Sequence, residues 1–226
     1  MYKTETHLHT LPVSACGRFT PEEMVGFYKE KGYSTIFISD HFDPYCFEGL
    51  GDGSWSEKID IMFDSYYRAK KVGEKIGINV LFSPEFTLGC GHYLLYNTTP
   101  EFFKAREDFF KMTIEEFRKY TIEKGVTVIQ AHPKRDGKSI PTPEFVDGFE
   151  VINSNPRHEN FDDEMFQMAR EYNLLMSAGS DAHRTEDIAT SAVVSPCEIK
   201  TTEQFLNLLK SGEAKLMKNG EIICFI

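Results

Sequence analysis

Short apolar segments alternate with amphipathic helical patterns along the chain, and this alternation restricts the possible folds more than any other feature. Apolar runs predict six strands, at residues 3–8, 35–39, 79–83, 126–131, 148–152 and 174–178. Helical periodicity predicts amphipathic helices at residues 57–76, 101–123, 161–172 and 202–209. Strands that alternate with helices are typical of an α/β protein with a parallel sheet, either open or closed into a barrel.

Turn and capping residues locate the ends of further elements. An N-cap, a first-position proline and a capping-box acid predict the start of an earlier helix, at Thr20, Pro21 and Glu23. The dipeptide Asn219-Gly220 predicts a type I′ hairpin between the apolar segments 214–217 and 222–226. The segment 42–56 is rich in glycine and aromatic residues, and we expect a long loop there that acts as a lid or a binding surface.

One connection breaks the parallel pattern. Only six residues separate Glu85 from His92, whereas a parallel crossover needs about a dozen or more. The segment 93–96 is therefore predicted to return antiparallel to the strand before it. This geometry would keep Glu85 and His92 at the same end of the sheet.

Composition limits the domain count and the class of partner. The chain has 226 residues, 41% of them hydrophobic, which suits one sizeable core, so we predict a single domain over residues 1–226. Its net charge is −10, from 25 basic and 35 acidic residues, and such a surface repels a long phosphate backbone. Long nucleic acid is therefore a poor candidate partner, and a small substrate is favoured.

The N-terminus, the apolar runs and the cysteines indicate the compartment. The N-terminus lacks the organisation of a signal peptide, and no apolar stretch reaches the roughly 20 residues of a membrane span. The five cysteines are an odd number, are widely spaced and form no Cys-x-x-Cys pair. We therefore expect reduced thiols in a cytoplasmic protein without a membrane partner.

The histidines are concentrated where the predicted strands end. Six of the seven lie at or next to a strand end: His7, His9, His41, His92, His132 and His183. Glu85 and Asp181 lie in equivalent positions. Because the carboxyl ends of parallel strands converge on one face, imidazoles and carboxylates from several strands are expected to meet there. Alternation along a strand would direct both side chains of the His-x-His pair to the same side.

A lone histidine is more often a hydrogen-bonded or surface residue than a metal ligand, and we interpret His158 in that way. The joint placement of six histidines is different, because independent surface residues would not all choose one end of the sheet. Nitrogen and carboxylate donors together suit divalent transition metals. A structural ion needs only four ligands, so eight candidates indicate more than one ion.

Five short motifs, taken in chain order, resemble the polymerase and histidinol phosphatase (PHP) family of metal-dependent phosphoesterases. They are His7-Leu8-His9-Thr10, Ser39-Asp40-His41, Glu85 with His92-Tyr93-Leu94-Leu95, Ala131-His132-Pro133 and Gly179-Ser180-Asp181-Ala182-His183. Each motif alone is weak, but the ordered set is specific and covers nearly the whole chain. The resemblance implies a distorted (β/α)7 barrel with a cluster of two or three divalent ions, which would be zinc, manganese or iron.

The resemblance also implies a ligand set. One ion would be held by His7, His9, Glu85 and Asp181. Glu85 would bridge to a second ion held by His92 and His132, and a third ion would be held by His41 and His183. The family has an Asp or His as a further ligand where this chain has Cys16, in Ser14-Ala15-Cys16-Gly17. A thiolate can bind zinc or iron, so Cys16 is either a substituted ligand or an inert thiol beside a weak third site.

The same resemblance predicts hydrolysis of a phosphate ester, either a small phosphomonoester or a short nucleotide or diester. Glu85 and Asp181 are the predicted catalytic carboxylates. Arg135 and Arg184 directly follow the ligand segments and are the predicted phosphate-binding residues. The sequence is equally consistent with each of them being a solvated surface charge.

Two other functions remain open from the sequence. An amidohydrolase-type enzyme that cleaves C–N bonds also begins with His-x-His and ends with a late Asp, but it commonly uses a mid-barrel lysine where this chain has Glu85. A non-catalytic metal-binding module is favoured only by the change at Cys16. The multiple candidate ligands argue against that module, because a scaffold needs no open site with so many donors.

Overall fold

The structure, a computed structural model, describes residues 1–224. Its strands are β1 Tyr2–Glu5, β2 Thr35–Ile38, β3 His41–Phe42, β4 Asn79–Phe82, β5 Glu85–Leu88, β6 Gly91–Tyr96, β7 Thr127–Gln130, β8 Gly148–Asn153, β9 Leu175–Gly179, β10 Ser191–Ser195, β11 Lys215–Lys218 and β12 Glu221–Ile222. Its α-helices are α1 Pro21–Glu30, α2 Pro44–Gly49, α3 Trp55–Ile76, α4 Pro100–Lys104, α5 Ile114–Glu123, α6 Asp162–Glu171 and α7 Thr202–Ser211.

The strands of residues 1–224 form two hydrogen-bonded sheets, in the orders β12-β11-β10-β1-β2-β4 and β3-β5-β6-β7-β8-β9. The central pairs β1–β2, β2–β4, β7–β8 and β8–β9 are parallel. Strand β6 runs antiparallel to both β5 and β7, as the short connection after Glu85 predicted. The mixed α/β class is confirmed. The predicted barrel is not seen as one continuous hydrogen-bonded ring through these residues.

The two sheets are joined where strands pass from one to the other. Strand β2 continues into β3, and β4 continues into β5, with two residues between each pair. The parallel pairing resumes after both breaks, since Ile38 lies opposite Phe82 and His41 lies opposite Glu85. On the other side, Leu8 beyond β1 forms an isolated parallel bridge with Ala182 beyond β9. These connections place the ends of β1, β2, β4 and β9 next to each other.

The helices cover the sheets through aromatic and aliphatic side chains. Helix α3 begins with a capping box of Ser54 and Glu57 and ends at Gly77, whose φ of 74° is readily adopted by glycine. Phe42 lies at the centre of a buried aromatic cluster, and its ring centroid is 4.2 Å from that of Phe103. This packing anchors β3 and therefore the strand end that carries His41.

All six predicted strands are confirmed, and each end lies within three residues of the predicted end. The predicted capping box of Thr20 and Glu23 is also present at the start of α1. In the C-terminal hairpin, Asn219 and Gly220 both have positive φ, as a type I′ turn requires. The second hairpin strand is only Glu221–Ile222, and residues 225–226 of the predicted segment lie outside the described residues.

Two predicted segments were wrong. The single helix expected at residues 101–123 is divided into α4, a 3-10 turn at Phe109–Lys111 and α5. The long loop expected at residues 42–56 contains α2, because Asp43 caps the helix by accepting a hydrogen bond from the Cys46 N–H at 2.7 Å. Within the described residues, no helix is long and apolar enough to cross a membrane.

Candidate metal centre

The His-x-His segment is held in extended form just beyond β1. The backbone N–H of His9 donates to the carbonyl of Ala182 at 3.0 Å, and the N–H of Ala182 donates to the carbonyl of His7 at 3.2 Å. Leu8 is fully buried between the two histidines. Both imidazoles consequently face the carboxylate of Asp181.

Glu85 is the centre of the cluster. Its side chain is 1% exposed and comes from the first residue of β5, where the chain enters the second sheet. Five imidazole nitrogens lie within 3.5 Å of its carboxylate: His41 Nδ1 at 2.7 Å, His132 Nε2 at 2.8 Å, His92 Nδ1 at 3.4 Å, and the Nε2 atoms of His7 and His9 at 3.5 Å. Side chains from β1, β3, β6 and β7 thus meet around one acid.

Asp181 is the second carboxylate of the cluster. Its Oδ1 lies 3.1 Å from His9 Nε2 and 3.5 Å from His7 Nε2, and its Oδ2 contacts the guanidinium of Arg135. The residue has a φ of 50°, an uncommon conformation for a non-glycine residue that is often associated with functional sites. His7 and His9 thus lie between the carboxylates of Asp181 and Glu85 as neighbours of both.

Burial and charge act against each other at these groups. Burial would raise the pKa of Glu85, but His7, His41 and His92 hold that pKa well below its usual value. Burial would lower the pKa of His7, but the carboxylates of Glu150, Asp181 and Glu85 raise it well above normal. The fully buried acids are therefore kept ionised, which is the state in which a carboxylate binds a metal.

The described residues contain four groups of side chains whose ligand atoms lie within 4.8 Å of one another. They are His9, His41 and His183; His7, His132 and Asp181; His7, His9 and Glu85; and Glu85, His92 and His132. The structure thus brings together eight of the nine residues that the sequence proposed as ligands.

Cys16 is the ninth proposed ligand, and within residues 1–224 it belongs to none of the four groups. Its thiol faces the same cavity as His41 and His183. Partial burial would raise the pKa of this thiol, but hydrogen bonding and charge from His183 and His41 lower it to about 7. The cysteine is therefore close to the His9–His41–His183 group, and its role as a ligand stays a prediction.

The donor set fits divalent ions. Four of its buried atoms have no hydrogen-bond partner among residues 1–224: His7 Nε2, His41 Nδ1, His132 Nδ1 and Glu85 Oε2. A buried polar atom without a partner costs about 1–3 kcal/mol, and such atoms are rare in folded proteins. His41 Nδ1 lies 2.7 Å and His7 Nε2 lies 3.5 Å from the Glu85 carboxylate. A shared cation would satisfy these atoms together.

A cavity of about 230 Å³ opens onto this cluster. Arg135, Arg157 and Arg184 all line it, and the phosphate-binding role of Arg135 and Arg184 stays a prediction. Arg157 is held by a bidentate pair with buried Asp187, at 2.7 and 2.8 Å. Of the described residues, none from 42–56 lines this cavity, so the segment expected to be a lid lies elsewhere.

Sequence reasoning missed four buried carboxylates that support the cluster. They are Glu5, Asp40, Glu150 and Asp187. Asp40 accepts hydrogen bonds from Thr10 and Ser14, and Asp187 accepts them from the backbone N–H groups of His183 and Arg184. For Glu5, Asp40 and Glu150, the signal in the sequence is an acidic residue within or near an otherwise apolar strand, where an unpaired charge would be costly. Asp187 lies in the 3-10 turn Thr185–Asp187 and has no such signal.

Comparison with known proteins gives a consistent result. A family model described as PHP-associated matches residues 163–214, which cover most of α6 and all of β9, β10 and α7. The search of curated proteins finds no match to this sequence.

Three solved structures share the fold. A two-domain protein from Bacteroides vulgatus that contains a predicted PHP-like metal-dependent phosphoesterase has a TM-score of 0.72 and 17% identity over 99% of this chain. This chain spans 66% of that protein. A candidate metal-dependent phosphoesterase from Bifidobacterium adolescentis has a TM-score of 0.56 and 15% identity, over 80% of this chain and 87% of its own. An amidohydrolase from Chromobacterium violaceum, with bound sulfate and no metal, has a TM-score of 0.55 and 14% identity, over 96% and 98%.

Proposed function

We propose, on the premise that this chain is a PHP-family protein, that it hydrolyses small phosphate esters with two or three divalent metal ions. Zinc, manganese and iron are the candidate metals, because all three accept imidazole and carboxylate ligands. The observation that carries the proposal is the position of Glu85, a buried acid within 3.5 Å of five imidazole nitrogens. A structural role alone does not require so many donors around one group.

The arrangement of the two sheets supports a distorted seven-stranded barrel. If β2 with β3 and β4 with β5 are each counted as one broken strand, the neighbouring strands are β1, β2/β3, β4/β5, β6, β7, β8 and β9. The bridge between Leu8 and Ala182 then lies where the last strand would meet the first. In this proposal the cluster occupies the mouth of the barrel, where the carboxyl ends of the parallel strands converge.

Bound divalent ions would supply hydroxide at neutral pH and stabilise negative charge on the phosphate oxygens. The chain's own residues would hold and orient the reactants. Glu85 and Asp181, which are ionised and buried, would bind and separate the cations. Arg135 and Arg184 lie at the cavity wall, where a guanidinium can donate two hydrogen bonds to a phosphate. The small cavity suits a terminal phosphate better than a long polymer.

Hydrolysis assays with a panel of substrates test this function. Metal-loaded protein is expected to hydrolyse phosphomonoesters or short dinucleotides, and a chelator is expected to remove the activity. Glu85→Gln is expected to lower kcat/KM at least about 100-fold, because one carboxylate charge between the candidate ions is lost. Glu203→Gln, on the exposed face of α7, is the matched control and should leave the activity unchanged.

The same assays separate the alternatives. Undiminished hydrolysis after chelation would contradict the proposal. Cleavage of amides or lactones without cleavage of phosphate esters would favour an amidohydrolase-type function. The similar fold of the Chromobacterium violaceum amidohydrolase is the reason to test this alternative. Metal binding without turnover of any substrate would favour a binding module.

A further inference from the structure

Glu150 lies on strand β8, next to the cluster. Among the described residues, it belongs to none of the four candidate ligand groups. Its side chain is fully buried, on a strand that pairs with β7 on one side and β9 on the other. Burying a carboxylate without partners in that position would cost several kcal/mol. The groups that it contacts therefore indicate its role.

The two oxygens of Glu150 have different partners. Oε1 lies 2.9 Å from Nδ1 of His7. Oε2 accepts two hydrogen bonds, from the backbone N–H of His132 and from Nδ2 of Asn153, both at 2.9 Å. His7 and His132 follow different strands, β1 and β7, and both belong to the candidate ligand groups. One buried acid thus connects two proposed ligands from opposite sides.

The hydrogen bond to His7 decides which ring nitrogen can bind a cation. A carboxylate is an acceptor only, so Nδ1 must carry the proton that it donates. The lone pair of a neutral His7 is then on Nε2, which faces Glu85 and Asp181 at 3.5 Å and has no hydrogen-bond partner. A ligand histidine whose other nitrogen donates to a carboxylate is held in one tautomer and one ring orientation.

The neighbouring strand is shaped to admit this contact. A Cβ atom on Gly179 would lie 2.3 Å from Oε1 of Glu150 and 2.6 Å from the Cβ of His7. Only glycine at this position of β9 therefore leaves room for the acid and the imidazole together.

We propose that Glu150 is a positioning residue that fixes the metal-binding tautomer of His7 and the backbone position of His132. The inference rests on the proposed function, because it requires that both histidines bind metal. Glu150 touches neither substrate nor ion and acts only through these two residues.

Glu150→Gln tests the tautomer directly. The amide oxygen should take the Oε2 position, because the N–H groups of His132 and Asn153 can only donate. The amide NH₂ would then face His7 Nδ1 and donate to it, which moves the imidazole proton to Nε2 and blocks that atom as a ligand. Zinc affinity, measured with Zn²⁺ and a competing chromophoric chelator, should fall about 10- to 100-fold.

A control variant separates this effect from a loss of stability. Asp147→Asn changes a carboxylate at the other end of β8, where it accepts hydrogen bonds from Arg118 and from the Val128 N–H. Thermal unfolding should show a loss of stability for this variant, whereas its zinc affinity should stay within about twofold of the wild type. If both variants lost affinity in proportion to stability, the positioning role would be wrong.

Two further measurements keep the test independent of folding. In a His7→Ala background, Glu150→Gln should have little additional effect on zinc affinity, because the His7 tautomer no longer matters and the amide oxygen still accepts the hydrogen bond from the His132 N–H. In the zinc-loaded wild type, proton NMR should show a downfield Nδ1–H signal from His7 that the Glu150→Gln variant lacks. Full affinity in folded Glu150→Gln protein would overturn the inference. Absence of binding of Zn²⁺, Mn²⁺ and Fe²⁺ by the wild type would instead overturn the proposed function.

Discussion

At the scale of single residues, the cluster is organised by charges that could not be buried separately. Glu85 and Asp181 are each about 1% exposed, and imidazoles or a guanidinium surround both. Removing one partner of such a group leaves a buried charge unpaired, which costs several kcal/mol. The buried carboxylates and the positively charged groups around them therefore stabilise one another. Substitutions at the edge of the site should destabilise the protein less than substitutions at its centre.

Arg184 is an edge residue and gives a prediction about substrate binding. Its side chain is exposed at the cavity mouth, in contrast to Arg157, which Asp187 holds in place. Arg184→Gln is expected to raise KM for a phosphomonoester about tenfold with a smaller change in kcat, because one charged hydrogen bond to phosphate is lost. Steady-state kinetics measure both constants.

The control for this prediction is Lys138→Gln, which removes an exposed positive charge that does not line the cavity. Its KM should match that of the wild type. An unchanged KM in Arg184→Gln would show that this arginine is a solvated surface charge and that Arg135 is the remaining candidate for phosphate binding.

At the scale of secondary structure, local sequence signals predicted the parts of the fold that local forces decide. The capping box of Thr20 and Glu23 and the turn at Asn219-Gly220 depend on neighbouring residues only, and both are present. The segment 101–123 depends on tertiary packing. Its phenylalanines have a helix-like spacing, yet they reach the core from three short pieces, and Thr113 caps a new helix.

In the candidate site, too, some residues could be predicted from local sequence and others depend on tertiary structure. Histidines at predicted strand ends were visible because their position follows from strand topology. Glu150 was not visible, because an acid that alternates with apolar residues in a strand normally faces solvent. In the structure, β8 lies between β7 and β9 and all six of its residues are buried, so both of its faces are covered. Strand β10, Ser191–Ser195, was also missed.

The contact between α1 and α3 gives a prediction at this scale. Arg68 donates two hydrogen bonds to the carboxylate of Glu22, both at 2.8 Å, and both side chains are about one-third exposed. Hydrogen bonding from Arg68 lowers the pKa of Glu22. Arg68→Gln is expected to lower the free energy of unfolding by about 0.2–1 kcal/mol, because exposed ion pairs contribute little.

The sign of the pH dependence follows from the lowered pKa. The pair stabilises the protein above the ordinary glutamate pKa of about 4.3, and this contribution is lost as the pH falls through the lower pKa of folded Glu22. Urea unfolding at pH 7 and at about pH 4 should therefore show a smaller difference between variant and wild type in acid. Lys71→Gln on the exposed side of α3 is the control, and an effect of Arg68→Gln that grew in acid would contradict the ion pair.

At the scale of the whole molecule, the net charge of −10 and the buried acids have a common consequence. Under the proposed function, the protein would repel an anionic substrate except where bound cations and arginines reversed the local field. Cation binding should also link the strand ends of both sheets, because the four candidate groups draw ligands from β3, β5 and β6 and from the segments after β1, β7 and β9. Metal binding and global stability are thus expected to change together.

Thermal unfolding with added Zn²⁺ measures this coupling without any substrate. A free zinc concentration of 100 times Kd should add about 2.7 kcal/mol of stability for each site, and so raise Tm by roughly 5–10 °C in a chain of this length. Glu85→Gln should lose most of this increase, since its carboxylate reaches ligands from both sheets. His158→Gln should keep it, because His158 pairs with Asp136 outside the cluster. Equal increases in all three proteins would mean that zinc binds elsewhere on the surface, and the coupling between the cluster and the fold would be rejected.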